Sequence, residues 1–174
     1  MSRSFGLQTA NDLLKKLERE YDRFCSSPHE DKSDHAFNFA ITAWHMVDWV
    51  WHESMDKSGA AFGCEKFDHF HSKVRSECGA LQICYEIATG SKHVILKPEK
   101  AKAVELTKTT TSRGGGVVRS VVSPVVMPVA TSVTGSYPVA QHVIRLKAGG
   151  TVPARSVFGE ALEYWETVVK GAET

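Results

Sequence analysis

The sequence predicts a mainly α protein: a bundle of four or five helices with a β-rich insertion before the C-terminal helix. Three observations predict it. Apolar residues recur at steps of three and four through most of residues 1–97 and again through 156–174, the period of a helix with one buried face. Between Pro98 and Arg155 the pattern changes to alternation rich in Val and Thr, the period of a strand. The composition, 42% hydrophobic and 24% charged, is that of an ordinary globular domain, which rules out a wholly disordered, collagenous or coiled-coil chain. The expected division is a helical bundle over 1–97, a basic β-rich arm over 98–155 and a C-terminal helix over 156–174 that packs back on the bundle.

The first helix is expected from near Thr9 to Cys25, with Thr9 or Asn11 as its cap and Leu13, Leu14, Leu17, Tyr21 and Phe24 inward. Ser26-Ser27-Pro28 ends it. A second helix runs from near Ser33 or Asp34 to about Met55. Its apolar residues cover most of the circumference: Phe37, Ala40, Trp44, Val47 and Trp51 in one stripe, Phe39, Ala43, Met46 and Val50 in another. A helix of that kind belongs at the centre of a bundle. The segment 58–63 reads as a loop, and a helix follows from Glu65 to Arg75. A break near Ser76 to Gly79 leads into a helix from Ala80 to Thr89, where Gly90 marks the end. Strands are expected at 104–108, 117–133, 139–146 and 151–154, with Pro124 and Pro128 making the second irregular or an edge. The last helix spans about Ser156 to Lys170, with Phe158, Leu162, Trp165 and Val169 on its apolar face.

Charge divides along the same boundaries. The whole chain has a formal net charge of +1, so it is neither uniformly basic nor uniformly acidic. Residues 101–155, however, carry seven basic side chains and one acidic, net +6. Residues 1–100 are net −2 and residues 156–174 net −3. The N-terminus lacks the apolar run of a signal peptide, and no stretch reaches the roughly 20 apolar residues of a membrane span. A cytoplasmic protein with no membrane contact is the expectation. Cys25, Cys64, Cys78 and Cys84 form no C-x-x-C pair and are expected to be reduced and buried.

Four groups of residues are candidates for chemistry. On the second helix His45, Asp48 and His52 share one face and, if buried, must be paired. They fit a hydrogen-bonded structural network, a general base with its orienting carboxylate, or a set of metal ligands. Glu86, Lys92 and His93 lie on or just past the fourth helix, where a Lys-His pair gains from the helix dipole or simply caps it. Asp68, His69 and His71 do not share a helix face. The basic arm carries Lys108, Arg113, Arg119, Arg145 and Lys147, flanked by Lys102 and Arg155. These residues would meet nucleic acid or a protein partner, or form a solvated surface. With Tyr137 as its only aromatic besides His142, the arm is poorly supplied for stacking bases.

The segments Asp34 to Asp48 (DHAFNFAITAWHMVD) and Ile83 to His93 (ICYEIATGSKH) resemble those of small bacterial helical-bundle proteins. Their layout is similar to the HEPN-like bundles of toxin–antitoxin and phage-defence systems, over residues 10–97. The resemblance implies an all-α bundle, often dimeric, whose active members cleave RNA without metal. Their active motif is an arginine followed after four to six residues by a histidine on one helix. Its only counterpart here is Arg23 to His29 (RFCSSPH), where Pro28 takes His29 out of a continuous helix. Two readings follow. Either the chain is a binding or interaction module, as a homo-oligomer or with a protein partner, or it is a metal-independent endoribonuclease. The latter would use His45, Asp48, His52, Glu86, Lys92 and His93, with the arm holding RNA. Neither reading calls for a cofactor.

Overall fold

The computed structural model describes residues 5–28, 31–58, 62–92, 103–112 and 139–171. It shows five helices and a small sheet in the order α1 (Ala10–Ser26), α2 (Lys32–Ser58), α3 (Phe67–Glu77), α4 (Gly79–Lys92), β1 (Val104–Ser112), β2 (Val139–Leu146), β3 (Thr151–Pro153) and α5 (Ala154–Gly171). The mainly helical fold with a β insertion before the last helix is therefore the observed one. The expected strand over 117–133 and the glycine-rich turn after Ser112 lie outside the described residues.

Helix α1 starts where its cap chemistry dictates. The Thr9 hydroxyl accepts from the Asp12 amide (3.1 Å), and the Asp12 carboxylate accepts from the amides of Thr9 (3.1 Å) and Gln8 (3.0 Å). These amides, Gln8 first, hold the Asp12 carboxyl below the usual carboxylate range. Central α2 packs against α1, α3, α4 and α5. Phe39, Ala40, Ala43, Met46 and Val47 are fully buried, as a helix apolar on most sides requires. From α5, Phe158 stacks on Phe39 (4.5 Å between ring centroids) and meets Phe24 edge-on (5.1 Å). The buried Trp165 indole donates to the Ala43 carbonyl of α2 (2.9 Å), which satisfies the one polar atom of the largest core side chain.

Several helix ends differ from expectation: α2 runs on from Met55 to Ser58, and α3 spans Phe67–Glu77 rather than Glu65 to Arg75. Helix α4 continues through Gly90 to Lys92. A glycine inside a helix costs about 1 kcal/mol, and packing offsets it here: Ala88 is buried, Thr89 and Gly90 half-buried. Helix α5 begins at Ala154, directly from β3, because Ala154 and Val157 are already in the core.

The sheet is antiparallel in the order β1-β2-β3. Strands β1 and β2 pair from Val104↔Leu146 to Ser112↔Val139, with an irregularity between Val104 and Leu106. The β2–β3 turn needs its two glycines: Gly149 and Gly150 have φ of +93° and +85°, a region costly to any residue with a Cβ. Only one end of the sheet is rooted in the bundle among the described residues. Ile144 is 2% exposed and enters the core, and β2 and β3 both pack on α5. All four cysteines are free thiols. Cys78 and Cys84 are buried as expected, whereas Cys25 and Cys64 are only half-buried. Burial pushes the Cys84 thiol far up.

Candidate functional site

Of the three alternatives for the stripe on α2, a buried network is not what the structure shows. His45, Asp48 and His52 are all exposed. The helix turns its continuous apolar surface to four neighbours, and the polar residues take the only remaining direction, toward water. They do border a concavity. A cleft of about 330 Å³ lies between the start of α1 and the second half of α2, lined by Gln8, Ala10, Asp48, Trp49, His52 and Glu53. Glu53 closes its floor by accepting from the Ala10 amide (2.6 Å), one of the first-turn donors of α1 that has no partner within its own helix. Asp48 and His52 thus share one site, while His45 stands one turn before them on the same face.

Glu86 belongs elsewhere. It is only 1% exposed, and its two oxygens accept from the amides of Ala103 (2.7 Å) and Val104 (2.7 Å). The Gln82 side-chain amide adds a third donor (2.6 Å). The carboxylate is committed to the backbone at the root of β1 and is not part of the cleft lining. Lys92 is the last residue of α4, with its side chain outside the described residues, as is His93 altogether. The ribonuclease reading would use Glu86 together with His45 and Asp48, but Glu86 stands instead in a clamp between α4 and β1.

Of the basic residues, Lys108 lies on β1 opposite Val143, and Arg113 and Arg119 fall outside the described residues. Arg145 and Lys147 are exposed at the rooted end of the sheet, where the Lys147 amide donates to the Ala103 carbonyl (2.9 Å). Asp68 and His69 are exposed on α3, whereas His71 is half-buried beside Trp44 (4.5 Å) and Tyr85 (5.5 Å). Burial, then the Arg75 charge, holds the His71 imidazole below its usual range, with Asp48 and Asp68 pulling weakly the other way. Among the described residues no three His, Cys, Asp or Glu side chains are grouped to hold a metal ion. No described helix is long and apolar enough to cross a membrane.

Sequence reasoning missed a second polar cluster. Glu20 of α1 is 5% exposed, with Arg23 (3.1 Å) and Lys16 (3.5 Å) on one oxygen and the His35 ring of α2 facing the other (3.7 Å). The signal was present: Glu20 continues the core spacing of Leu13, Leu17 and Phe24. No family model matches the chain, and no curated protein or solved structure is detectably similar to it.

Proposed function

We propose that the chain is an interaction module, in which the helical bundle holds a basic β arm for contact with an acidic protein surface. The HEPN-like layout of the helical segments supports a toxin–antitoxin or phage-defence setting. The observation that carries the reading is the Glu86 clamp. Removing a carboxylate from water costs several kcal/mol, and here that cost is met by fixing two consecutive backbone amides at the root of the arm. The clamp and buried Ile144 hold the base of the most basic segment of the chain, net +6 over 101–155, against a bundle of opposite sign.

The acidic surface of a second copy is the simplest partner. Sedimentation of the full chain tests this at low and high salt, since contacts between exposed charges weaken as the Debye length shrinks from about 10 Å at 0.1 M. The expected result is a mass above the monomer at low salt that falls with added salt, and falls further in Arg145→Glu/Lys147→Glu. A monomer at every salt and concentration, with no salt-sensitive binding to acidic proteins, contradicts the reading.

The second reading, RNA cleavage, draws on Asp48 and His52 sharing a cleft with Trp49. The same cleft carries the Asp48 and Glu53 carboxylates, whose charge opposes a phosphodiester and ranks this reading lower. Incubating RNA with wild type, His45→Ala, His52→Ala and His93→Ala decides it. Equal cleavage by all, or none by wild type, removes the ribonuclease reading.

A further inference from the structure

We infer that the cleft between α1 and α2 is the acceptor for the arm: it takes an arginine guanidinium from the β arm of a second copy. This rests on the interaction reading above and adds the place where the arm docks. The lining points to a cation. Asp48 and Glu53 contribute two carboxylates, Gln8 an amide and Trp49 an indole, and among the described residues no lysine or arginine lines the cleft. Its volume of about 330 Å³ lies at the lower end of the roughly 300–1,000 Å³ of ligand sites, space for one side-chain head group. The walls are held in place. Glu53 accepts from the Ala10 amide (2.6 Å), and the Asp12 carboxylate accepts from the amides of Gln8 (3.0 Å) and Thr9 (3.1 Å). Lys16, the cation of α1 that reaches α2, is engaged elsewhere, by Glu20 (3.5 Å) and the Thr42 hydroxyl (2.6 Å). A guanidinium suits this set better than an ammonium. Its flat fork can bond one carboxylate twice, its face stacks on an indole, and it is more weakly hydrated.

The position of the sheet makes a second copy the source. His142 of β2 meets the bundle at the Phe24 ring of α1 and at Ser33 of α2 (3.1 Å). From Ser33 to Glu53, helix α2 runs about 30 Å. From His142 to Arg145, strand β2 covers only about 10 Å. Arg145 of the same chain therefore falls short of the cleft, and Arg145 of another copy is under no such limit. Charge favours the match. The arm is net +6 over 101–155, and Arg113, Arg119, Arg145 and Arg155 supply four of its seven basic side chains. Arm and cleft lie toward opposite ends of α2. Two copies lying antiparallel thus bring each arm to the other's cleft, which closes the pair about a twofold axis.

Sedimentation of the full chain at low salt tests this with two variants, Asp48→Lys in the cleft and Arg145→Glu/Lys147→Glu in the arm. All three positions are exposed. Wild type is expected to pair, and each variant alone to associate at least about tenfold more weakly. An equimolar mixture of the two variants is expected to associate again, less tightly than wild type, because one intact cleft then faces one intact arm. If Asp48→Lys lowers the urea midpoint, Gln8→Lys, at an exposed position on the other wall, takes its place. A cleft variant that associates as wild type does, or a mixture that stays monomeric while wild type pairs, overturns the cleft as acceptor and leaves the interaction reading standing. A wild type that is monomeric at every salt and concentration overturns it too, and the interaction reading falls with it only if the chain also fails to bind acidic proteins.

Discussion

Glu86 sits at a position that helical spacing marks as polar, opposite Leu81, Cys84 and Ala88, and spacing alone sends such a residue to solvent or to a site. Its destination inside the protein was not legible, because the amides of Ala103 and Val104 that receive it come from a chain reversal no local pattern encodes. Glu86→Ala is expected to lower stability by about 2 kcal/mol, since it strands two half-buried donors, and Glu86→Gln by less, since one oxygen remains. Urea unfolding of the full chain measures both. His71 makes a different kind of prediction. Burial and Arg75 disfavour its charged form in the folded state, so the unfolded chain binds the proton more readily. Its contribution to stability is intact above the ordinary imidazole value of 6.5 and is lost as pH falls below it. His71→Phe, which keeps a ring against Trp44 and Tyr85, is expected to lose less stability than wild type between about pH 7 and pH 5. A variant with the same acid sensitivity would show that His71 does not carry it.

At the scale of elements, the helices were legible because each has one dominant apolar face and, for α1, a capping box written in Thr9 and Asp12. Thr9→Ala is expected to cost about 1 kcal/mol, read as a lower urea midpoint with an unchanged slope. What misled was the reading of α2. A buried network was one of the three alternatives for its polar stripe, but α2 has four helical neighbours and leaves one direction to water, and His45, Asp48 and His52 occupy it. The same argument explains α4, whose end was placed at Gly90 by propensity and at Lys92 by packing. The turn at Gly149 and Gly150 sets the pairing of β2 with β3, and Ile144 of β2 enters the core.

For the whole molecule, the near-neutral total conceals an acidic bundle and a basic arm, whose described base is held by buried Glu86 and Ile144 and by packing of β2 and β3 on α5. On the interaction reading, the helices supply the core and the sheet supplies the contact surface. The most direct measurement is hydrogen–deuterium exchange of the full chain at concentrations above and below its association at low salt. The interaction reading predicts added protection in the amides of 104–112 and 139–147, lost with salt, together with matching protection on the acidic face that receives them. Exchange that is indifferent to concentration in the arm, or protection confined to the cleft around Asp48 and His52, would contradict it.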